Sequence, residues 1–290
     1  MIVSDETITG DLIRRLQLNQ LYLLEEFDLF CEKNGICYTL DFGSIIGAIR
    51  HKGFVPWDDD VDIAMLRWDY DKFLNASKLW ENDCVFVQNY ETDHEFVHSF
   101  TRLRLNNSLA LQEEWAHLNI HHGVFIDIFP YDVMPDDEET ISEHEASIHY
   151  IQEAKLERVR LLKVNRKREW KESQRVNPLV LLSLRDLNIL QTEIMIKYNN
   201  NYNDTSFVSH MTQGFESYYC YRRKVRDQLF PKYGDFEGLV LPIPDNYEII
   251  LRNTYGDYLE FPPIDERKPH HGLIEVVIND EVNEKYYSIV

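Results

Sequence analysis

Four aspartates crowd into the stretch HKGFVPWDDDVDIAML, residues 51–66. They are Asp58, Asp59, Asp60 and Asp62, and a run of apolar residues follows them directly. Side chains of an extended strand alternate between two faces, so Asp60 and Asp62 should point to the same side. Two neighbouring carboxylates at the start of a buried strand repel each other unless a cation lies between them. Mg²⁺ suits this arrangement, because it takes one or two carboxylates, keeps waters and completes its shell with phosphate oxygens.

A third acid is expected from a neighbouring strand. In VFIDIF, Asp127 is a lone acid between two isoleucines, where a carboxylate is costly unless it is paired or bound to a metal. Asp127 is therefore predicted either to help hold the metal or to take a proton from an acceptor hydroxyl. The role of Asp58 is left open between a metal contact and a neighbour of the metal ligands. Asp59 is predicted to be a turn residue or a helix cap.

Upstream, Gly43 and Ser44 lie where a predicted strand gives way to a short helix. Backbone N–H groups at such a helix start hold an anion, and glycine permits close approach. Together with the aspartates, this turn predicts a combined phosphate and metal site. A calcium loop of the EF-hand type also uses alternate acids, but it needs Gly at its sixth position and Glu at its twelfth. This chain has Ile63 and Asp69 there, so that alternative fails.

The elements that would position these residues follow from hydrophobic periodicity. Apolar residues at a 3.6-residue period predict a long amphipathic helix from Leu12 to Lys33. Strands are predicted in ICYTLDF, DVDIAML, DCVFVQNY, FTRLRL and GVFIDIFPYD, the last of them ended by Pro130. Charged helices are predicted over residues 138–170, and further helices over residues 178–200. This mixture of separate helices and strands predicts the α+β class.

Charge and composition limit the partners. The chain has 290 residues and a formal net charge of −20, which argues against nucleic acid because affinity for a phosphate backbone comes largely from Lys and Arg. Four scattered cysteines without a CxxC pair predict buried or free thiols in a reducing compartment. The first residues lack a signal-peptide core, and no apolar run approaches the roughly 20 residues of a membrane span. A cytoplasmic location is therefore expected.

A local basic run, KVNRKREWKESQR at residues 163–175, stands out in this acidic protein. The favoured interpretation is a solvated helix face. The alternative is a docking patch for a lipid-linked acceptor or an anionic membrane surface. Peripheral association with the inner face of a membrane therefore stays open.

The segment FGSIIGAIRHKGFVPWDDDVDIAM resembles the signature of the LicD family of phosphotransferases, which also covers fukutin-like enzymes. GVFIDIFPYD and YGDYLEFPP resemble the second and third blocks of that family. The resemblance implies a nucleotidyltransferase-like fold, a small mixed sheet flanked by helices. It also implies transfer of a phospho-group from a CDP-activated alcohol, such as CDP-choline or CDP-ribitol, to a sugar hydroxyl, with release of CMP. The acceptor would be a cell-surface glycan or a teichoic-acid precursor.

The resemblance covers residues 20–135 and resumes over residues 240–271. The chain shows no internal repeat and no low-complexity linker, which predicts one domain over residues 1–290, with a catalytic core (1–135), a helical elaboration (136–240) and a C-terminal segment (241–290) that returns to the core.

Carried over onto this sequence, Asp60 and Asp62 match the metal-binding Asp-x-Asp of the family and Asp127 matches its third carboxylate. Gly43 and Ser44 match the turn that faces the phosphates. The metal is expected to be Mg²⁺, with Mn²⁺ as an alternative. Bound there, it would neutralise charge on the pyrophosphate and on the departing CMP.

Four basic residues are further candidates for the donor site. Arg50 and Lys52, between the short helix and the strand with the aspartates, are predicted phosphate clamps, with plain surface charge as an equal alternative. Arg102 and Arg104 alternate on one face of FTRLRL, and at least one of them is predicted to reach the nucleotide.

Choline would need an aromatic cage, because a quaternary ammonium donates no hydrogen bonds and is attracted to ring faces. Trp57 adjoins the aspartates and Tyr131 follows Asp127 by four residues, so both are candidates for it. His270 and His271 also resemble a family feature, but two histidines in a proline-rich tail are expected to be solvated.

Two other functions remain in competition. A nucleotidyltransferase that moves NMP from an NTP to a small molecule uses the same Gly-Ser turn and Asp-x-Asp, so the acids do not separate it from a phosphocholine transferase. HKGFVPWDDD favours the latter. A scaffold protein without catalysis would normally have lost one of the three acids, and all three are present.

Overall fold

The computed structural model describes residues 10–164, 166–200, 202–203, 206–212 and 217–287. Its mixture of helices and strands confirms the predicted α+β class. The helices are α1 (Gly10–Asn34), α2 (Phe42–Ile46), α3 (Arg67–Ser77), α4 (Glu138–Val164), α5 (Lys167–Val176), α6 (Leu184–Met195), α7 (Val225–Leu229), α8 (Tyr247–Tyr255) and α9 (Asp280–Tyr287). The strands are β1 (Thr39–Leu40), β2 (Asp62–Leu66), β3 (Val85–Gln88), β4 (Thr101–Leu105), β5 (Leu109–Gln112), β6 (Phe125–Val133), β7 (Phe207–His210), β8 (Arg223–Lys224), β9 (Lys232–Phe236), β10 (Leu239–Ile243) and β11 (Leu273–Val277).

One mixed sheet carries the predicted acids. Its strands follow the order β1-β2-β6-β4-β3, and β7 and β8 extend it beside the carboxyl-terminal part of β6. Strand β2 runs parallel to β6, and the other neighbours are antiparallel. The register sets Asp62 of β2 opposite Asp127 of β6. The sheet thus brings together two acids that are 65 positions apart in the sequence.

Helix α1 supports the loop that carries the aspartates. Its apolar stripe is buried, as the 3.6-residue period predicted, and two glutamines on the same helix are buried with it. Gln17 donates to the carbonyl oxygens of Val55 and Asp58 at 3.2 and 3.0 Å. Gln20 donates to the carbonyl of Asp59 at 2.6 Å. These bonds satisfy backbone oxygens that a buried irregular loop would otherwise leave unpaired.

Strand β6 does not end at Pro130, so that prediction is wrong. On the edge opposite β2, strand β4 pairs with β6 as far as Ile128, and β7 begins its pairing at Tyr131. Pro130 falls in the gap between these two partners. A proline in that gap removes no ladder hydrogen bond on this edge, which is why the strand continues through it.

The region predicted as a helical elaboration contains helices and strands. Helices α4 and α6 pack around their own apolar cluster, which includes Ile151, Leu161 and Leu187. Strands β7 and β8, farther along the same region, join the main sheet. Residues 136–240 therefore supply part of the sheet as well as the added helices.

The C-terminal segment returns to the core along two routes. Strand β11 pairs with β5, and helix α9 packs against α1. Asn19 of α1 donates to the Asn279 carbonyl and to Asn283 at 3.0 and 2.6 Å. Between α8 and β11 the chain runs across the front of the sheet, and this connection forms part of the site described next.

Within the described ranges, no helix combines the length and apolar character that crossing a bilayer requires. The four cysteines are free thiols, in agreement with the prediction, and Cys31 is buried in the main core.

Candidate active site

A cavity of about 730 Å³ opens where β2 begins. Gly43 and the acids Asp58, Asp60 and Asp62 line one side of it, and residues from 255–270 line another. The two sides come from segments about 200 residues apart in the sequence. The cavity thus exists only after the C-terminal segment has returned to the sheet.

The turn at Gly43 and Ser44 positions the acids. Asp41 caps helix α2 by accepting from the Phe42 N–H at 2.9 Å, and Ser44 Oγ accepts from the Asp62 N–H at 2.9 Å. A Cβ on Gly43 would lie 2.7 Å from Asp58 Oδ2, so a larger residue here would displace that carboxylate. Gly43 lines the cavity as predicted, whereas the Ser44 hydroxyl is used to hold the start of β2.

The acids of the cavity carry little compensating charge. Burial raises the pKa of Asp58 and Asp62 well above the usual aspartate range, and the charge of Asp60 adds to both shifts. Burial also raises the pKa of Asp60, although His271 opposes this shift. A raised carboxyl pKa means that the ionised form lacks sufficient partners. The group is therefore ready to accept an external cation.

Asp127 differs from these acids because Arg102 pairs with it. Arg102 Nε and Nη2 donate to its two carboxylate oxygens at 2.7 and 3.2 Å, and both side chains are buried. Arg102 also donates to Gln112 at 2.7 Å. Asp127 lies next to Asp62 as predicted, but a carboxylate held at both oxygens is poorly placed to take a proton. Arg102 likewise donates to these two protein side chains and does not line the cavity.

Tyr131 lies beneath the site and, in the described chain, does not line the cavity. It is 1 % exposed, its hydroxyl donates to Asp41 at 2.6 Å, and the Arg223 guanidinium stacks on its ring at 4.2 Å. Arg223 also pairs with Asp41 at 2.7 Å. The structure therefore does not place Tyr131 in a choline cage, because the ring is buried and the Arg223 guanidinium covers its face.

Asp59, predicted as a turn residue or helix cap, instead anchors the C-terminal segment. It is 1 % exposed and accepts from the backbone N–H groups of His270 and His271 at 3.0 and 3.3 Å. His271 Nδ1 lies 3.1 Å from Asp59, and its Nε2 lies 3.7 Å from Asp60. Burial alone would lower the pKa of His271, but the charges of Asp60 and Asp59 outweigh it and raise the pKa to about 9. The expectation that His271 is solvated is thus wrong.

The predicted basic residues separate into different environments. Arg50 lines the cavity, and its Nη1 donates to the carbonyls of Tyr258 and Glu260 at 2.7 and 3.0 Å. Lys52 points to solvent and lies 3.6 Å from Asp235. Arg104 is buried and donates to Gln88 and the Gly123 carbonyl, both at 2.7 Å. Of the four, Arg50 is the one that the structure brings to the cavity, and the others are held elsewhere in the described chain.

An aromatic surface faces the acids across the cavity. Trp57 lines it as predicted, joined by Tyr255, Tyr258 and Phe261 of the C-terminal segment. The rings of Trp57 and Phe261 lie 6.1 Å apart. Sequence reasoning missed these three residues, although all three belong to the quoted block YGDYLEFPP. The signal was the density of aromatic residues in that block.

The cavity acids fit a divalent cation. Asp58, Asp60 and Asp62 face one cavity with raised pKa values, and oxygen-rich sites of this kind suit Mg²⁺ or Mn²⁺. In the described chain, Asp59, Asp60 and His271 also place one possible ligand atom each within 4.8 Å of one another. The oxygens of Asp59 already accept three hydrogen bonds, so this second group is explained without a metal.

Comparison with known proteins assigns the class first. The family model described as LicD/FKTN/FKRP, nucleotidyltransferase domain, matches residues 35–167. This range includes β2, β6 and the cavity acids.

Similarity to a curated protein covers more of the chain. The chain is 30 % identical over 269 residues to the lipopolysaccharide cholinephosphotransferase LicD of Haemophilus influenzae. This match covers 89 % of the chain and 96 % of the relative. An uncharacterised protein of Rickettsia prowazekii is 35 % identical over 68 residues, 23 % of this chain and 26 % of that protein. The chain belongs to the LicD family.

Proposed function

We propose that this protein is a transferase that moves phosphocholine, or a related phospho-alcohol, from a CDP-activated donor to a sugar hydroxyl of a cell-surface glycan. The acceptor would be a lipopolysaccharide or teichoic-acid precursor, and CMP would be released. Supporting this proposal is the similarity over nearly the whole chain to a lipopolysaccharide cholinephosphotransferase. The observation that carries it is the group of acids with raised pKa values at one side of a cavity large enough for a nucleotide donor.

Asp60 and Asp62 would hold a Mg²⁺ ion, with Mn²⁺ as a substitute, and Asp58 lies beside them. The ion would supply positive charge for the pyrophosphate of the donor and for the departing CMP. Asp127 and Arg102 would keep the charge and shape of the site constant, since their ion pair is buried behind Asp62. Gly43 would leave room for the phosphates, because it presents no side chain to the cavity.

In the proposed reaction, the oxygen of the acceptor hydroxyl attacks the phosphorus of the phosphocholine group. A new O–P bond forms while the bond from that phosphorus to the bridging oxygen breaks, and CMP leaves with the bonding electrons. The hydroxyl proton passes to a carboxylate that lines the cavity. We assign this role to Asp58, because it faces the cavity while both oxygens of Asp127 are engaged by Arg102.

We place the reaction in the cytoplasm, with the protein at the inner membrane face when the acceptor is lipid-linked. The four free thiols support a reducing compartment.

Calorimetric titration tests the donor class. CDP-choline, CDP-ribitol and ATP are titrated with and without Mg²⁺ into the wild type and into Asp60→Ala/Asp62→Ala. We expect Mg²⁺-dependent binding of a CDP-alcohol that the double variant loses. Preference for ATP would instead favour the second candidate function, a nucleotidyltransferase. The matched family domain is described as a nucleotidyltransferase domain, which supports this candidate. A product assay for CMP, repeated with EDTA and after Mg²⁺ is restored, then tests turnover.

A further inference from the structure

The aromatic side chains that line the cavity are more exposed than the side chains of a hydrophobic core. Phe261 is 51 % exposed and Tyr255 is 44 % exposed, yet both line the cavity beside the half-buried Trp57. Tyr255 lines the same cavity as Asp58 and Asp62. Large rings left open next to a charged centre are typical of ligand contacts.

Two guanidinium groups already lie on these ring faces. Arg50 Cζ is 4.5 Å from the centroid of Phe261, and Arg267 Cζ is 5.2 Å from Phe261 and 5.4 Å from Trp57. The ring faces therefore attract cations in this protein. One cation can contact both rings at once, since Arg267 does so.

The two arginines are held very differently. The hydrogen bonds of Arg50 to the carbonyls of Tyr258 and Glu260 make it part of the wall. Arg267 belongs to the connection between α8 and β11, and it donates from Nε to the Pro262 carbonyl of its own loop at 2.9 Å. Movement of the Arg267 side chain thus breaks a hydrogen bond within its own loop and its ring contacts, whereas movement of Arg50 breaks hydrogen bonds between two distant segments of the chain.

The charge around the rings also favours a cation. Asp257, Glu260 and Glu266 line the cavity in addition to the three aspartates, against the basic side chains of Arg50 and Lys268. A positively charged group on the rings would lie in a surplus of carboxylates.

We infer that Trp57 and Phe261 form the subsite for the quaternary ammonium of the transferred alcohol, and that Arg267 occupies this subsite until the donor displaces it. The inference rests on the proposed function and adds what selects the alcohol. A quaternary ammonium requires ring faces and nearby carboxylates, which this wall supplies. A neutral polyol has no positive charge for the ring faces to attract, so the wall selects a choline-type donor over a ribitol-type one.

Binding of three ligands to four variants tests the inference. CDP-choline, CDP-ribitol and CMP are titrated into Phe261→Leu, Trp57→Leu, Arg267→Ala and Arg252→Ala. Arg252 is an exposed residue of α8 outside the cavity lining, and its substitution removes the same charge without touching the rings. Circular dichroism confirms that each variant is folded before it is titrated.

We expect each leucine variant to bind CDP-choline about tenfold more weakly, while its affinity for CMP stays within about twofold of wild type. Arg267→Ala should bind CDP-choline about threefold more tightly, since the internal competitor is gone, and Arg252→Ala should not. Equal weakening of CMP would mean that the rings hold the base, and this would overturn the inference while leaving the proposed function intact. Absence of binding by every CDP-alcohol to wild type would overturn both.

Discussion

Two groups of aspartates in and beside the same sheet differ in what neutralises them. The paired aspartates, Asp41, Asp127 and Asp132, are each bonded to a buried arginine at 2.6–2.8 Å. The cavity aspartates, Asp58, Asp60 and Asp62, face open space, and burial raises the pKa of each, with the charges of neighbouring aspartates adding to the shift.

We interpret this difference as a separation between acids that stabilise the fold and acids that the proposed reaction would use. A buried carboxylate is tolerated when a cation pairs with it, and the fold supplies such a cation wherever the acid serves the sheet. The cavity aspartates lack such an arginine in the described chain, so their charge remains for something that arrives from outside. Position in the sheet does not sort the two groups, because Asp62 and Asp127 are neighbours across β2 and β6.

The largest expected effect is on catalysis. Asp60→Asn/Asp62→Asn should reduce kcat by about a thousandfold, because the charge that would hold the cation is gone. The same change relieves repulsion between buried carboxyls, so the metal-free protein should be at least as stable as wild type. Turnover assays and thermal unfolding check both halves. A residual rate within tenfold of wild type would show that these acids do not carry the reaction.

A paired aspartate should show the reverse pattern. Arg67 is buried and donates to the two carboxylate oxygens of Asp132 at 2.8 and 2.6 Å. Asp132→Asn removes the negative charge that pairs with it, so the free energy of unfolding should fall by about 3–5 kcal/mol. Urea unfolding measures this loss. Asp132 does not line the cavity, and kcat per folded molecule should remain near wild type.

The control for that measurement is Arg168→Ala. Arg168 bonds Glu172 at 2.8 Å, a similar length, but its side chain is 89 % exposed. An exposed pair contributes less than about 1 kcal/mol because water already solvates both charges. Equal losses in the two variants would contradict the distinction between buried and exposed pairs.

A smaller effect is expected at the anchor of the C-terminal segment. Asp59→Asn weakens the hydrogen bonds from the N–H groups of His270 and His271. The free energy of local opening at these amides should therefore fall by about 1–3 kcal/mol, and their exchange should be faster. Hydrogen exchange read by mass spectrometry over residues 257–272 checks it. Asp58→Asn, one position earlier and without these contacts, is the matched control. Unchanged exchange in Asp59→Asn would mean that other contacts hold the segment.

The smallest effect is expected on the basic helix α5. Lys167→Ala/Arg168→Ala should leave activity within about twofold on a soluble and on a lipid-linked acceptor, because both side chains are solvated and Arg168 is paired with an acid of its own helix. Assays with the two acceptors in parallel test this. Loss confined to the lipid-linked acceptor would establish contact between α5 and the membrane surface.

Local patterns predicted a large part of the fold. The period of α1, the alternation in β2 and the apolar run around Asp127 placed these elements correctly, because each depends on residues close in sequence. The two-stranded pairs β5–β11 and β9–β10 were missed. The extension of β6 through Pro130 was missed because it depends on where β4 and β7 end.

The sequence by itself determined which acids lie close together: Asp58, Asp60 and Asp62 follow from their spacing and from the resemblance of the block around them, and their roles stay predictions. Tertiary structure alone decided which groups face the cavity. It buried Tyr131 and Arg104, paired Asp127 with Arg102, and brought Asp59 to His271 across 212 positions. The physical reason is that a charge is stabilised or left uncompensated by whatever lies within a few ångströms of it, and chain folding rather than chain order sets those distances.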